Sequence, residues 1–318
     1  MMEAGVSQFD DQMVESMLSD ELTRGDATIV SAGSILRHLL ENADHTMFSD
    51  EIVARVRGMV SDLARQLLVM QAEVAGADDP HAFTQEQHSA LTEVLISNAA
   101  LLGHVHGLAL EFQITEQLHA REAIDGVLSP LLQALIESDD SATATAAMSL
   151  LASQARFCQQ QRRMELPLGE LPGELFHTVI LSLRDNVLDD REAAAKAEEK
   201  LRAEFDESHS RLGLLARLVV AMGGGTLAAL SVAHAGVALF LTALAFATGQ
   251  DRLRIVLASN ERQVARFAVL LCAAGLKPRE VEAEFAHFHP DIGLPAAILH
   301  LGDRATAILA ASTAELAG

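Results

Sequence analysis

The stretch that decides the fold is Leu214–Asp251, "LLARLVVAMGGGTLAALSVAHAGVALFLTALAFATGQD". Between Arg217 and Asp251 it holds no formally charged residue, only His234. A bilayer is crossed by about twenty consecutive apolar residues in one helix. Here Gly223, Gly224 and Gly225 interrupt the run, and His234-Ala235-Gly236 interrupts it again. The remaining pieces, 226–233 and 237–248, are each too short to span. They have the length of core helices. The chain has neither Trp nor Tyr to mark a membrane interface. The stretch therefore predicts short helices folded inward, without integral membrane insertion. A helix apolar on every side, such as 237–248, belongs between other layers.

Composition points the same way. Half of the 318 residues are hydrophobic, with seven prolines and little alternating Val, Ile, Thr or aromatic sequence. The predicted class is all-α. Forty-four acidic side chains against 23 basic ones give a formal charge of −21. Nucleic-acid binding rests on Lys and Arg neutralising phosphates, so this balance argues against nucleic acid and for neutral or basic partners. Cys158 and Cys272 form no CxxC pair and read as buried thiols in a reducing cytoplasm. The opening "MMEAGVSQFDDQMVESML" is acidic where a signal peptide needs a basic flank, so no secretion signal is expected.

Along the chain, a weak helix is expected around 29–40 and a strong one over 51–74. In the latter, Ile52, Val56, Met59, Val60, Leu63, Leu67, Met70 and Val74 form one stripe that Gly76 stops. Thr84 and Gln87 have capping-box spacing, and Ser97-Asn98 stand where a helix either breaks or continues. Residues 132–153 align without a gap on 253–274, each an apolar helix end, a Ser-Asp or Ser-Asn turn and a second apolar helix. A polar turn at a fixed place between helices is the unit of an α-solenoid. "MELPLGELPGELFH" is the clearest break, because Pro167 and Pro172 lack amide donors and push their predecessors out of helix. The expected division is an N-terminal helical domain over 1–164, a linker over 165–176 and a C-terminal helical-repeat domain over 177–318. Beyond the linker, "LRDNVLDDREAAAKAEEKLRAEFDESHSRL" predicts a long, solvated, charged helix with Glu192–Lys196 and Glu198–Arg202 pairs. Val264, Phe267, Ala268 and Leu271 make a further stripe, with Arg262, Gln263 and Arg266 placed on the surface.

The segment "GGGTLAALSVAHAGVALFLTALAFATGQDRLRIVLASNERQVARFAVLLCAAGLKPREVEAEF", 223–285, resembles the C-terminal signature of an uncharacterised, mainly alphaproteobacterial family. That family is a domain of unknown function with HEAT-like helical hairpins. The resemblance covers about a fifth of the chain clearly. Its turn "AHAG" departs from the more polar Gly-Asp type of that pattern. It implies a cytoplasmic, bacterial helical-repeat protein and brings no catalytic residues. The expected architecture is HEAT-like in the C-terminal half, and a bundle or irregular solenoid in the N-terminal half.

The search for chemistry returns little. His104 and His106 in "GHVHG" stand at i,i+2, which points helical side chains apart. His287 and His289 in "EFAHFHPD" have the same spacing but could converge in a turn with Glu284 and Asp291, which keeps a metal protein or helical enzyme as the alternative. The acidic pairs lie in charged stretches and read as solvated, and "MGGGT" lacks the Lys of a phosphate loop. No cofactor is expected. Arg162 and Arg163, next to Pro167 and Pro172, are the candidate contact residues. They either clamp an interdomain junction to helix carboxylates or mark a partner's docking site. The predicted function is non-enzymatic protein–protein interaction or regulation. A homodimer is the alternative assembly, and membrane association through 218–250 the second alternative.

Overall fold

A computed structural model describes residues 16–28, 36–37, 50–77, 79–186, 191–302 and 304–315. The fold is all-α. The helices are α1 (16–28), α2 (Asp50–Ala75), α3 (Pro80–Ile96), α4 (Ala99–Glu122), α5 (Pro130–Ile136) and α6 (Ser141–Arg163). There follow α7 (Gly173–Asn186), α8 (Arg191–Glu204), α9 (Arg211–Met222), α10 (Val232–Thr248) and α11 (Arg252–Ala258). The last are α12 (Val264–Ala273), α13 (Pro278–Phe288), α14 (Ala296–Leu299) and α15 (Arg304–Glu315). The helix expected over 29–40 lies almost wholly outside the described residues.

The chain forms two compact units that are discontinuous in sequence. One comprises Met1–Ala32, Gln113–Ala144 and Leu218–Gly318, the other Gly33–Phe112 and Thr145–Arg217. The expected boundary at 165–176 is not where the contacts divide. That proline-containing stretch lies within the second unit, where it bends the chain between α6 and α7. Proline marks a local end of helix, and it carries no information about which helices share a core.

In the second unit, most of the stripe predicted on α2 is core, with Val56, Met59, Val60, Leu63 and Leu67 inaccessible to solvent, while Met70 and Val74 at its end are half-buried. α2 packs on α3, α7 and α8. α3 starts at Pro80, whose missing amide suits the first helical turn, so Thr84 is a buried position inside the helix and not its cap. Ser97-Asn98 do break the helix, and the Asn98 side chain accepts the Leu101 amide at 2.9 Å to start α4. The long charged helix expected after the prolines is shorter. α8 stops at Glu204, and Asp206 then caps a 3-10 turn by accepting the Ser208 amide. Its Glu192–Lys196 and Glu198–Arg202 pairs form at 2.7 and 2.9 Å, while Ala193, Ala194, Ala197 and Leu201 face inward.

In the first unit the decisive stretch is broken at both glycine sites. Gly223, at φ +50, opens a 3-10 helix over Gly223–Leu230, and α10 is interrupted at Gly236, at φ +71 and ψ 165. The expectation of inward folding holds for one part and fails for another. Val237, Leu239–Ala245 are buried, whereas Val220 is 59 % and Leu227 66 % exposed. By length and composition, one described helical segment, Arg211–Leu230 at mean hydropathy 1.6, reaches the threshold for crossing a membrane, and two strongly bent helix pairs reach it jointly. That segment starts at a guanidinium buried in protein and passes from α to 3-10 geometry at Gly223.

α12 supplies a second correction. Phe267, Ala268 and Leu271 are buried as predicted, but so are Gln263 and Arg266. Arg266 pairs with Asp26 at 2.6 Å and donates to the Leu22 carbonyl at 2.8 Å, and Gln263 donates to the Gly25 carbonyl. The polar face of α12 is thus the seat of α1, a helix that the local pattern around 262–266 does not reveal. Rings of Phe240, Phe267, Phe285 and Phe288 join α10, α12 and α13, with centroids 4.7–6.2 Å apart.

Gly236 occupies backbone space that only glycine enters without strain, and a Cβ there would stand 3.2 Å from the Ser129 Cβ. Gly236→Ala is expected to destabilise the first unit by about 1–3 kcal/mol, read as a lower urea midpoint. An unchanged midpoint would show that the kink is dispensable.

Candidate docking groove

The second unit carries a polar spine through its core. The Arg211 side chain, 2 % exposed, forms a two-pronged pair with Glu111, at 2.7 and 3.0 Å, and reaches the Gln154 Oε1 at 3.2 Å. Its guanidinium lies 3.7 Å from the centre of the Phe157 ring. Phe157 meets Phe112 edge to face at 6.3 Å, and Arg55 covers Phe112 at 4.5 Å. Arg55 is itself held by Glu51 at 2.7 Å and by the Gln161 carbonyl. Two cations therefore bracket a pair of phenyl rings, each with a carboxylate within reach.

The spine connects directly to the proline-containing segment. α6 ends in a Schellman arrangement: Met164 adopts φ +59, its amide donates to the Gln161 carbonyl at 3.2 Å, and the Glu165 amide donates to Gln160 at 2.9 Å. Met164 stands where glycine is usual, and its side chain packs against Gly58, at which a Cβ would come within 2.5 Å of the Met164 Cβ. Residues 166–168 are then tied to α2. The Leu166 amide donates to Asp62 at 3.0 Å, Gln66 donates to the Leu166 carbonyl at 2.8 Å, and the Leu168 amide donates back to Gln66 at 3.0 Å. Leu168–Glu170 close a 3-10 turn, whose Glu170 carboxylate accepts the Arg211 amide at 2.7 Å.

Of the residues singled out in the sequence, Arg162 and Arg163 are exposed on the last turn of α6, and Pro172 precedes α7 with its carbonyl accepting the Phe176 amide at 2.8 Å. Pro167 borders a cavity. The anchors of the segment are Asp62 and Gln66, which sequence reading passed over. Their signal was a polar pair one turn apart beside the apolar stripe of α2.

That cavity is an open groove of about 380 Å³. Val69 and Met70 of α2, Leu201 of α8, Phe205 just beyond its end, and Phe176 of α7 make it largely apolar, with Pro167–Gly169 along one side. The Phe176 and Phe205 rings stack in parallel at 4.0 Å. Three charged residues line it: Arg65, Glu73 and Glu204. Arg65 is paired with Asp62, and Glu73 lies 3.5 Å from Lys200.

The histidines do not assemble into a centre. His287 is hydrogen-bonded through Nδ1 to the Glu122 carboxylate, and Arg121 donates to its carbonyl. His289 is 3 % exposed and packs on Phe267 and Phe285, with neither ring nitrogen hydrogen-bonded. Glu284, behind them, accepts the Val232 amide at 2.8 Å at the start of α10. Among the described residues no group of three or more His, Cys, Asp or Glu is arranged to hold a metal ion. His104 and His106 are buried in α4. Cys158 and Cys272 are buried free thiols, the latter pushed up to about 11 by burial. Comparison with protein-family models, with curated proteins and with solved structures finds no match.

Burial depresses both His106 and His289 from 6.5 to about 4, since the charged form is disfavoured away from water. A histidine that is neutral when folded and basic when unfolded stabilises fully above 6.5 and loses that contribution as pH falls towards 4. Glu284 opposes this trend, because burial foremost raises it. Stability is therefore expected to fall between pH 6.5 and 4, and His289→Leu is expected to flatten the slope of urea midpoint against pH. A slope unchanged by that substitution would mean that His289 is already solvated.

Proposed function

We propose that the protein is a non-enzymatic interaction protein that binds a partner protein in the groove between α2, α7, α8 and the Pro167–Gly169 turn. The observation that carries this reading is the groove itself: an open, largely apolar surface between three helices and a turn that Asp62 and Gln66 hold to α2. Contact areas of this type, aromatic and aliphatic with charges at the edge, recur where one protein anchors the side chains of another. Helix-in-groove recognition needs little else from the receptor. Asp62 and Gln66 clamp the proline-containing segment to α2, and the clamped turn forms a wall of the groove. The resemblance of 223–285 to HEAT-like hairpins accords with an interaction role. The pattern of short helix, polar turn and longer helix recurs at α5–α6 and α11–α12, with Asp140 and Asn260 capping the turns.

A photo-crosslinking residue placed at Met70, inside the groove, is expected to join the protein to a second protein in cells. The same residue at Met148, an exposed apolar position on α6, is the control. A discrete adduct from position 70 alone supports the reading. No adduct from position 70, or the same adducts from both positions, contradicts it.

A further inference from the structure

The groove's charges are unequal in what they already do, and the difference points to its occupant. Arg65 is neutralised by Asp62, and Glu73 has Lys200 beside it. Glu204 is exposed and makes no hydrogen bond or ion pair with a described residue. It is also the last residue of α8, where the helix dipole already places partial negative charge on unpaired carbonyls. A carboxylate there is unfavourable for the folded chain taken alone. Arg202, in the same last turn, has the sign that the helix end favours, and it pairs with Glu198. Glu204 lies between Leu201 and Phe205 of the groove wall. A locally unfavourable charge set beside an apolar surface signals function in preference to folding.

Building on the reading of the groove as a protein-binding site, we propose that its occupant is a helical segment bearing two large apolar side chains about one turn apart, flanked by a Lys or Arg. The apolar pair fills the cavity beside Phe176 and Phe205. The cation meets the Glu204 carboxylate and the carbonyl end of α8, supplying the charge that the fold leaves unmatched. The strongly acidic chain as a whole favours the approach of such a segment from solution.

The test is selection of a displayed library of helical peptides on the full-length protein, followed by titration of one selected peptide against Glu204→Gln and Glu204→Lys. Glu204 is at the surface, so both variants are expected to fold. Glu204→Lys should raise the melting temperature by about 1 °C by relieving the helix end. The expected result is enrichment of an apolar pair with Lys or Arg, affinity about tenfold weaker with Glu204→Lys, an intermediate loss with Glu204→Gln, and recovery when the peptide cation is exchanged for Glu. Peptides enriched without a basic residue, affinity indifferent to position 204, or no enrichment at all would overturn the proposal. If the adduct at position 70 forms with a partner and yet survives Glu204→Lys, the groove remains a docking site and only this assignment of its chemistry fails.

Discussion

A guanidinium removed from water must take its counter-charge with it, and Arg211 imposes that condition on the whole second unit. Its side chain joins α9 to Glu111 of α4 and to Gln154 and Phe157 of α6, while its amide holds Glu170 of the proline-containing turn. One residue thus connects α4, α6 and α9 to the turn that α2 holds from its other side. Losing either partner of a buried pair leaves a charge stranded in a poor solvent, which costs more than the intact pair contributes. Such a pair fixes register more than it adds stability. Leu and Ala side chains, which make up most of this core, would pack in several near-equivalent ways, and a bidentate pair admits one.

The groove depends on that frame. Its apolar walls come from three helices and a turn, and an open apolar surface collapses unless its walls are held apart. Asp62 and Gln66 hold the turn to α2 from one side, and Glu170 holds it to α9 from the other. The groove is thus supported by hydrogen bonds that are buried or half-buried, leaving its apolar side chains available for contact. In the first unit the equivalent constraint is Arg266 with Asp26, which seats α1 on α12.

The all-α class was legible because helix periodicity is a local property. α2 could be read from its stripe and the interruption of the uncharged stretch from Gly223 and Gly236, while at Ser97-Asn98 the sequence left a break and a continuous helix equally open. The division of the chain was not legible. The two units exchange segments, and nothing local in α4 or α6 announces which core their successive turns enter. Buried arginines misled for a related reason. Arg266 reads as a surface residue until Asp26, far away in sequence, is known to lie against it. At the candidate site, the prolines marked the segment that walls the groove, while the groove itself required α2 to meet α7 and α8, which are distant from it in sequence. Exposure of Val220 and Leu227 likewise had no local signal, since an apolar residue looks the same in a core or on a surface.

The central claim, that Arg211 and Glu111 act as one unit to fix the frame, is tested most directly by a double-mutant cycle. Urea unfolding would be followed in Arg211→Met, Glu111→Leu and the double variant. Each single change is predicted to cost about 3–5 kcal/mol, and the double variant to recover most of that loss because neither charge is left alone. Single losses below about 1 kcal/mol, or losses that simply add in the double variant, would contradict it.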